Sequence, residues 1–234
     1  MSLQKLASTI KMEGEPSVNL FCIGRYNMPP GRPRAFDKEQ ALDTALRLFW
    51  RHGYEGTSIA ALAEQIGITV PSLYLAFGNK ASLFKQAVAH YERYSGALYT
   101  DTLAKPSARE VALGILQGEA ELVAGGETPA GCLMVQGALA TSPGAEDVRA
   151  CLAAQRRNAQ SLIAERFERA TSEGDLPEGW EPQALASFIM TVASGMAVQA
   201  KSGASRRELS EVIEIAMQIW PPKAGESRGA NLDP

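Results

Sequence analysis

Residues 57–80, TSIAALAEQIGITVPSLYLAFGNK, constrain this chain more than any other stretch, because they hold two short apolar sets separated by a single tight connection. Ile59, Leu62, Ala63 and Ile66 recur at helical spacing behind Thr57, a good N-cap, and Gly67 stands where a left-handed residue ends a helix. Thr69 can cap a second helix, Pro71 is tolerated in its first turn, and Leu73 and Phe77 share an inward face before Gly78-Asn79 stops it. Two helices joined so closely must cross steeply, with the small Ala63 and Gly67 letting their backbones approach. This is the packing a helix-turn-helix requires.

The remaining sequence is helical in the same way. Asp37 caps, Gln40 stands at the capping-box position, and Ala41, Leu42, Ala45, Leu48 and Phe49 form a stripe ending at Gly53. A fourth helix starts at Asn79-Lys80 and runs to about Leu103, with Leu83, Phe84, Ala87, Val88, Tyr91 and Leu98 inward. Further helices are expected over 108–124, 129–140, 144–172, 182–201 and 206–220. Their inward faces include Leu162 on the third of these and Val212 and Ile219 on the last, and Pro221-Pro222 ends the series. No β-alternating run and no internal repeat occurs, so the chain is expected to be all-α, an N-terminal three-helix unit followed by a larger helical domain. The expected division is a flexible extension over 1–27, the helix-turn-helix domain over 28–88, a ligand-binding and dimerisation domain over 89–222, and a flexible tail over 223–234. Met28 is expected to be the natural start.

Charge is unevenly placed. The whole chain carries −3, yet residues 25–51 hold six basic residues against three acidic, a local +3. Such asymmetry suits one nucleic-acid-facing end, since phosphate neutralisation needs local charge. Within it, Gly31-Arg32-Pro33-Arg34 is too rich in Pro and Gly to be helical; it is either a solvated leader or an arm laid on a phosphate backbone or into a minor groove. Three cysteines, Cys22, Cys132 and Cys151, with no CxxC pair, indicate neither a disulfide framework nor a zinc module, and a reduced cytoplasmic setting is expected. The apolar run over 184–200 is interrupted by Ser187, Thr191, Ser194 and Gln199 and lacks basic flanks, so it reads as a buried helix and no membrane partner is expected. The two histidines, His52 and His90, belong to no nucleophile constellation, and there is no phosphate cradle or metal-ligand cluster. No enzyme, cofactor or metal is expected.

The residues over 31–86 carry a family likeness. The patterns A-x-x-L-F-x-x-x-G-Y-x-x-T-S-I at 45–59, A-x-x-x-G at 63–67 and L-Y-x-x-F-x-x-K-x-x-L at 73–83 resemble the DNA-binding domain of the tetracycline-repressor (TetR) family of bacterial transcription regulators. The resemblance implies nine or so helices, a homodimer, a near-palindromic double-stranded operator, and a C-terminal domain that binds a small-molecule effector. Carried over by position, Tyr74, Lys80, Thr57 and Ser58 match residues that hold backbone phosphate, while Val70, Pro71, Ser72 and Leu75 sit where relatives face the major groove. Leu75 and Ala76 replace residues that are often aromatic or histidine, and Val70-Pro71 replaces a commoner polar-Gly pair. Base readout then leans on Ser72 and on apolar contacts to thymine methyl groups, with Arg32 or Arg34 helping. Read without the resemblance, Tyr74 is either a packed aromatic or an outward one; its place between Leu73 and Phe77 favours outward.

In the C-terminal half, Gly131-Cys132-Leu133-Met134 resembles a segment found in one branch of the family. Cys132 reads as a small buried residue, with a thiol-based redox sensor as the alternative. Tyr91, Tyr94, Met134, Phe188 and Met196 are candidates for an effector pocket suited to an apolar or planar ligand, although each also fits plain core. The small Ala193, Ser194, Gly195, Ala197 and Ala200 permit close helix approach in a dimer. The competing reading is a helical ligand-binding or scaffolding protein that has lost DNA binding, suggested by the apolar Val70, Pro71, Leu75 and Ala76.

Overall fold

Where the helices begin and end follows from capping and glycine. A computed structural model describes residues 36–126, 128–137 and 144–221, with the backbone alone at 93–95, 97 and 98. The 1–27 extension, Met28, Arg32, Arg34, Cys22, the 223–234 tail and the side chains of Tyr94 and Leu98 lie outside what is described. Among the described residues there are nine helices and no strand: α1 (Lys38–His52), α2 (Ile59–Ile66), α3 (Val70–Phe77), α4 (Lys80–Leu103), α5 (Ala108–Val123), α6 (Leu133–Gly137), α7 (Glu146–Ser172), α8 (Pro182–Lys201) and α9 (Arg206–Gln218).

Asp37 caps α1 through its carboxylate, which accepts from Glu39 N at 2.8 Å. Gly67 closes α2 in the left-handed region, φ 77° and ψ 31°. Ser107 and Ser205 form full capping boxes with Glu110 and Glu208. The C-terminal end of α4 is closed from a distance: the buried Arg166 of α7 donates to the carbonyl oxygens of Leu103, Lys105 and Pro106 at 3.2, 2.9 and 3.0 Å. Those carbonyls would otherwise be left without partners at the helix end.

The structure differs from the sequence-based expectation at several points. The cap of α2 is Ser58, whose hydroxyl accepts from Ala61 N at 3.0 Å, and not Thr57. Gly67 serves through its backbone angle and not through close approach, since a Cβ there would meet nothing within 4 Å. The helix expected over 129–140 begins only at Leu133, because Gly131 takes φ 87° and turns the chain first. Leu162, Val212 and Ile219, expected inward, are exposed.

The described residues belong to one compact unit. α4 is the spine, packing against α1, α3, α5 and α7. At 24 residues it is about 36 Å long, enough to run from one end of the core to the other. The expected boundary after residue 88 falls within α4, and buried residues on both sides belong to one continuous core. Aromatic edges knit it together: Phe49 meets Phe84 at 4.9 Å, Tyr54 meets Phe84 at 5.2 Å, and Trp50 meets Tyr91 at 4.8 Å. α8 is long and apolar enough to cross a bilayer by composition, but in this fold it packs against α5 and α7.

Candidate nucleic-acid interface

α2 and α3 meet at an angle of 94°, so one face of α3 is pressed inward while the other stands clear. Leu73 and Phe77 fill the inward face and are fully buried. The outward face carries Tyr74, 47 % exposed, and Leu75, 77 % exposed, with Pro71 exposed beside them. Val70 is half-buried against the core. Exposing a leucine to that degree on a rigid helix stabilises nothing within the chain, whereas apolar contact with a thymine methyl group would use it.

The turn between α2 and α3 is held by hydroxyls. Thr69 Oγ1 caps α3 by accepting from Ser72 N at 3.3 Å, and the Thr69 and Ser72 hydroxyls share a hydrogen bond of 2.9 Å. Ser72 therefore reaches outward with its hydroxyl already oriented by the cap. Thr69 is itself exposed beside Ser72.

Of the four expected phosphate-holding residues, Ser58, Tyr74 and Lys80 lie on or near the surface and Thr57 does not. Thr57 is 2 % exposed, and its hydroxyl donates to Gly53 O at 2.8 Å. It fastens the loop after α1 instead of offering a hydroxyl to a ligand. Lys80 opens α4 directly after the Asn79 cap, whose Oδ1 accepts from Ser82 N at 2.8 Å. Its Nζ sits 4.4 Å from the centroid of the Tyr54 ring, a cation–π contact that fixes the ammonium near the helix N-terminus. Partial burial holds the Lys80 pKa below the ordinary lysine range, with the Glu55 carboxylate opposing that shift. Tyr54, next to Gly53 after α1, supplies this seat.

The expected effector residues are placed differently. Tyr91 and Met196 are buried in the core, and Met134 and Phe188 are partly buried against it. Tyr91 belongs to a cluster of buried polar groups: its hydroxyl lies 3.6 Å from Cys132 Sγ, and Glu119 is buried beside that thiol. Burial pushes the Glu119 carboxyl up to about 7. Burial, then the nearby Glu119, push the Cys132 thiol up to about 11. At pH 7 the Cys132 thiol is therefore neutral, while the Glu119 carboxyl stands near the midpoint of its titration.

Comparison with known proteins agrees with this geometry. Residues 41–87 match the family model described as bacterial regulatory proteins, tetR family, and residues 115–216 match the tetracyclin repressor-like C-terminal domain. The HTH-type transcriptional repressor ComR of Escherichia coli is 34 % identical over 197 residues, covering 82 % of this chain and 92 % of the relative. The repressor BdcR of the same organism is 30 % identical over 189 residues, covering 80 % and 90 %. Among solved structures, a cysteine mutant of the TetR family regulator CifR in complex with 26-bp double-strand operator DNA matches with a TM-score of 0.78 and 43 % identity, covering 82 % of this chain and all of that one. With an exposed recognition helix set across its partner at a right angle, and with relatives along most of its length, the chain belongs to the TetR family and is a DNA-binding transcriptional regulator.

Proposed function

We propose that the protein is a cytoplasmic homodimeric repressor that holds a near-palindromic operator and leaves it when a small molecule binds. The observation that carries the DNA-reading half is the outward face of α3, where Tyr74 and Leu75 stand exposed while Leu73 and Phe77 are buried. Ser58, Tyr74 and Lys80 hold phosphate; Pro71, Ser72 and Leu75, flanked by Val70, meet the bases; Arg32 and Arg34 add positive charge from the basic arm. Thr57 supports this frame from beneath.

The dimer reading is supported by an uncovered apolar face. Val198 on α8 is 52 % exposed, Val212 and Ile215 on α9 are 40 and 63 % exposed, and Ile219, the C-cap of α9, is 50 % exposed. Gly195, one turn before Val198 on α8, has open space where a Cβ would stand. A second copy covering this face buries four large apolar side chains per chain and sets two reading heads roughly 34–36 Å apart. An effector that binds the spread form better than the DNA-bound form lowers operator affinity by the ratio of its two affinities.

A second reading, release through Cys132, has position in its favour: the residue lies next to Gly131, whose carbonyl holds Trp50 of α1 at 2.6 Å. The raised thiol pKa opposes it, since the thiolate is the reactive form. A mild peroxide titration separates the two. Release of DNA from wild type but not from Cys132→Ser establishes the thiol route, and identical behaviour removes it. The test of the main reading is a quantitative gel shift on the DNA upstream of the protein's own gene. A salt-sensitive shift is expected; salt-independent retention or none with any neighbouring promoter favours the scaffolding alternative.

A further inference from the structure

The C-terminal end of α8 reaches the reading head. Lys201, the last residue of α8, donates through Nζ to the carbonyl oxygen of Arg51 at 2.8 Å, across 150 residues of sequence. Arg51 O is one of the last four carbonyls of α1, which a helix leaves without partners of its own. A lysine that closes a helix ordinarily serves the carbonyls of its own last turn. Here the ammonium closes a different helix.

The same place is held a second time. Trp50, the neighbour of Arg51, donates to Gly131 O at 2.6 Å. A Cβ at Gly131 would come within 3.2 Å of Lys201 Cβ and 3.3 Å of Ala197 O, so this turn lies tightly against the end of α8. Beyond the turn, Arg156 Nη1 of α7 donates to Met134 O of α6 at 2.8 Å and ties the segment to the C-terminal helices. The ends of α1 and α8 and the turn before α6 therefore meet at one junction. What the junction holds is the loop over 53–58. Thr57 Oγ1 donates back to Gly53 O at 2.8 Å and to Leu48 O at 3.3 Å, so the loop is fastened to the end of α1. That loop carries Tyr54, the seat of the Lys80 ammonium, and Ser58, the cap of α2.

We infer that Lys201 is a positioning residue for DNA reading: it fixes the reading head to the helix whose place the second copy sets. Val198, one turn before Lys201, is exposed on the face assigned to that copy, so the last turns of α8 carry both the dimer contact and the tie to α1. Covering Val198 leaves the Lys201–Arg51 bond in place, because both of its partners belong to the same chain. The inference rests on the homodimeric DNA-reading proposal given above. Without the tie each head swings more freely on α8, and the distance between the two heads is no longer sharply set.

The experiment is gel-shift titration of the full-length chain with three duplexes: the one that wild type enriches from a random pool, the same duplex with extra base pairs inserted at its centre, and a scrambled control. Lys201→Met, which keeps the length of the side chain and removes the donor, is expected to weaken binding to the enriched duplex about tenfold. Discrimination against the lengthened duplex is expected to fall by a similar factor, while affinity for the scrambled duplex and its salt slope stay at wild-type values. Lys201→Arg restores a donor at this position and is expected to restore the discrimination. Wild-type discrimination in Lys201→Met, or its loss in both variants alike, overturns the positioning role. Equal weakening on all three duplexes with a salt slope lower by roughly one unit makes Lys201 a phosphate contact and also overturns it. A wild-type chain that does not tell the enriched duplex from the lengthened one overturns the paired-reader proposal itself, a failure visible before any variant is measured.

Discussion

Trp50 Nε1 donates to the carbonyl oxygen of Gly131 at 2.6 Å, joining α1 of the reading head to a turn 81 residues later. The same indole meets the Tyr91 ring edge to face at 4.8 Å, so Trp50 is tied at once to the turn before α6 and to the middle of α4. Gly131 takes φ 87°, and a Cβ there would come within 3.1 Å of Gln136 Nε2 and 3.3 Å of Ala197 O. Only glycine fits the turn that presents this carbonyl.

Trp50→Phe keeps an aromatic ring but leaves a buried acceptor unpaired, so a loss of about 1–3 kcal/mol in stability is expected by urea unfolding. Gly131→Ala adds backbone strain to crowding and is expected to cost about as much. If both variants unfold at the wild-type urea midpoint, this link contributes nothing to stability.

Glu119 gives the stability curve a slope. Its folded pKa, pushed up to about 7 by burial, lies above the value of about 4.3 expected in the unfolded chain. The stability of the protonated form is fully present below the unfolded value and is lost as pH rises through about 7, on the order of 3–4 kcal/mol across that window. Glu119→Gln is expected to flatten the fall in melting temperature between roughly pH 4.5 and 7.5. An unchanged slope in the variant assigns the pH dependence to other groups.

On the reading head, Tyr74→Phe and Lys80→Ala are each expected to weaken binding to all DNA sequences and to lower the salt slope by roughly one unit. Leu75→Ser should instead change which sequences are preferred, at about 1–3 kcal/mol for the affected base pair. Salt-dependent titrations of matched and scrambled DNA distinguish the two classes of effect, and unchanged affinity and slope in both phosphate variants contradict the assignment.

Ile215→Asp places a charge in the centre of the uncovered α8–α9 face. Sedimentation at micromolar concentration is expected to show dimers for wild type and monomers for the variant, with folding intact because Ile215 is 63 % exposed in the single chain. A variant that remains dimeric moves the interface elsewhere.

Local signals carried the head of the molecule into view from sequence. Asp37, Gly53, Gly67, Thr69 and Gly78 each act on backbone within a few residues, and α1 to α4 begin and end within about a residue of where they place them. Thr57 and Ser58 are adjacent hydroxyls that sequence cannot rank; burial decides that Thr57 turns inward and Ser58 caps. Leu162, Val212 and Ile219 show the limit of periodicity, which marks an apolar face but not whether the same chain covers it. Arg156 and Arg166 were illegible for a different reason: their partners are carbonyls 22 and about 60 residues away, and nothing in the local pattern points there.

Selection of bound duplexes from a random double-stranded pool by the full-length chain tests the DNA-reading surface most directly. Enrichment of a near-palindrome with two half-sites about one helical turn, or a multiple of it, apart is expected, lost on replacing Leu75 and Tyr74 together and weakened steeply by salt. A pool that shows no enrichment over several rounds, or enrichment indifferent to both replacements, contradicts the assignment of the outer face of α3 as the reader.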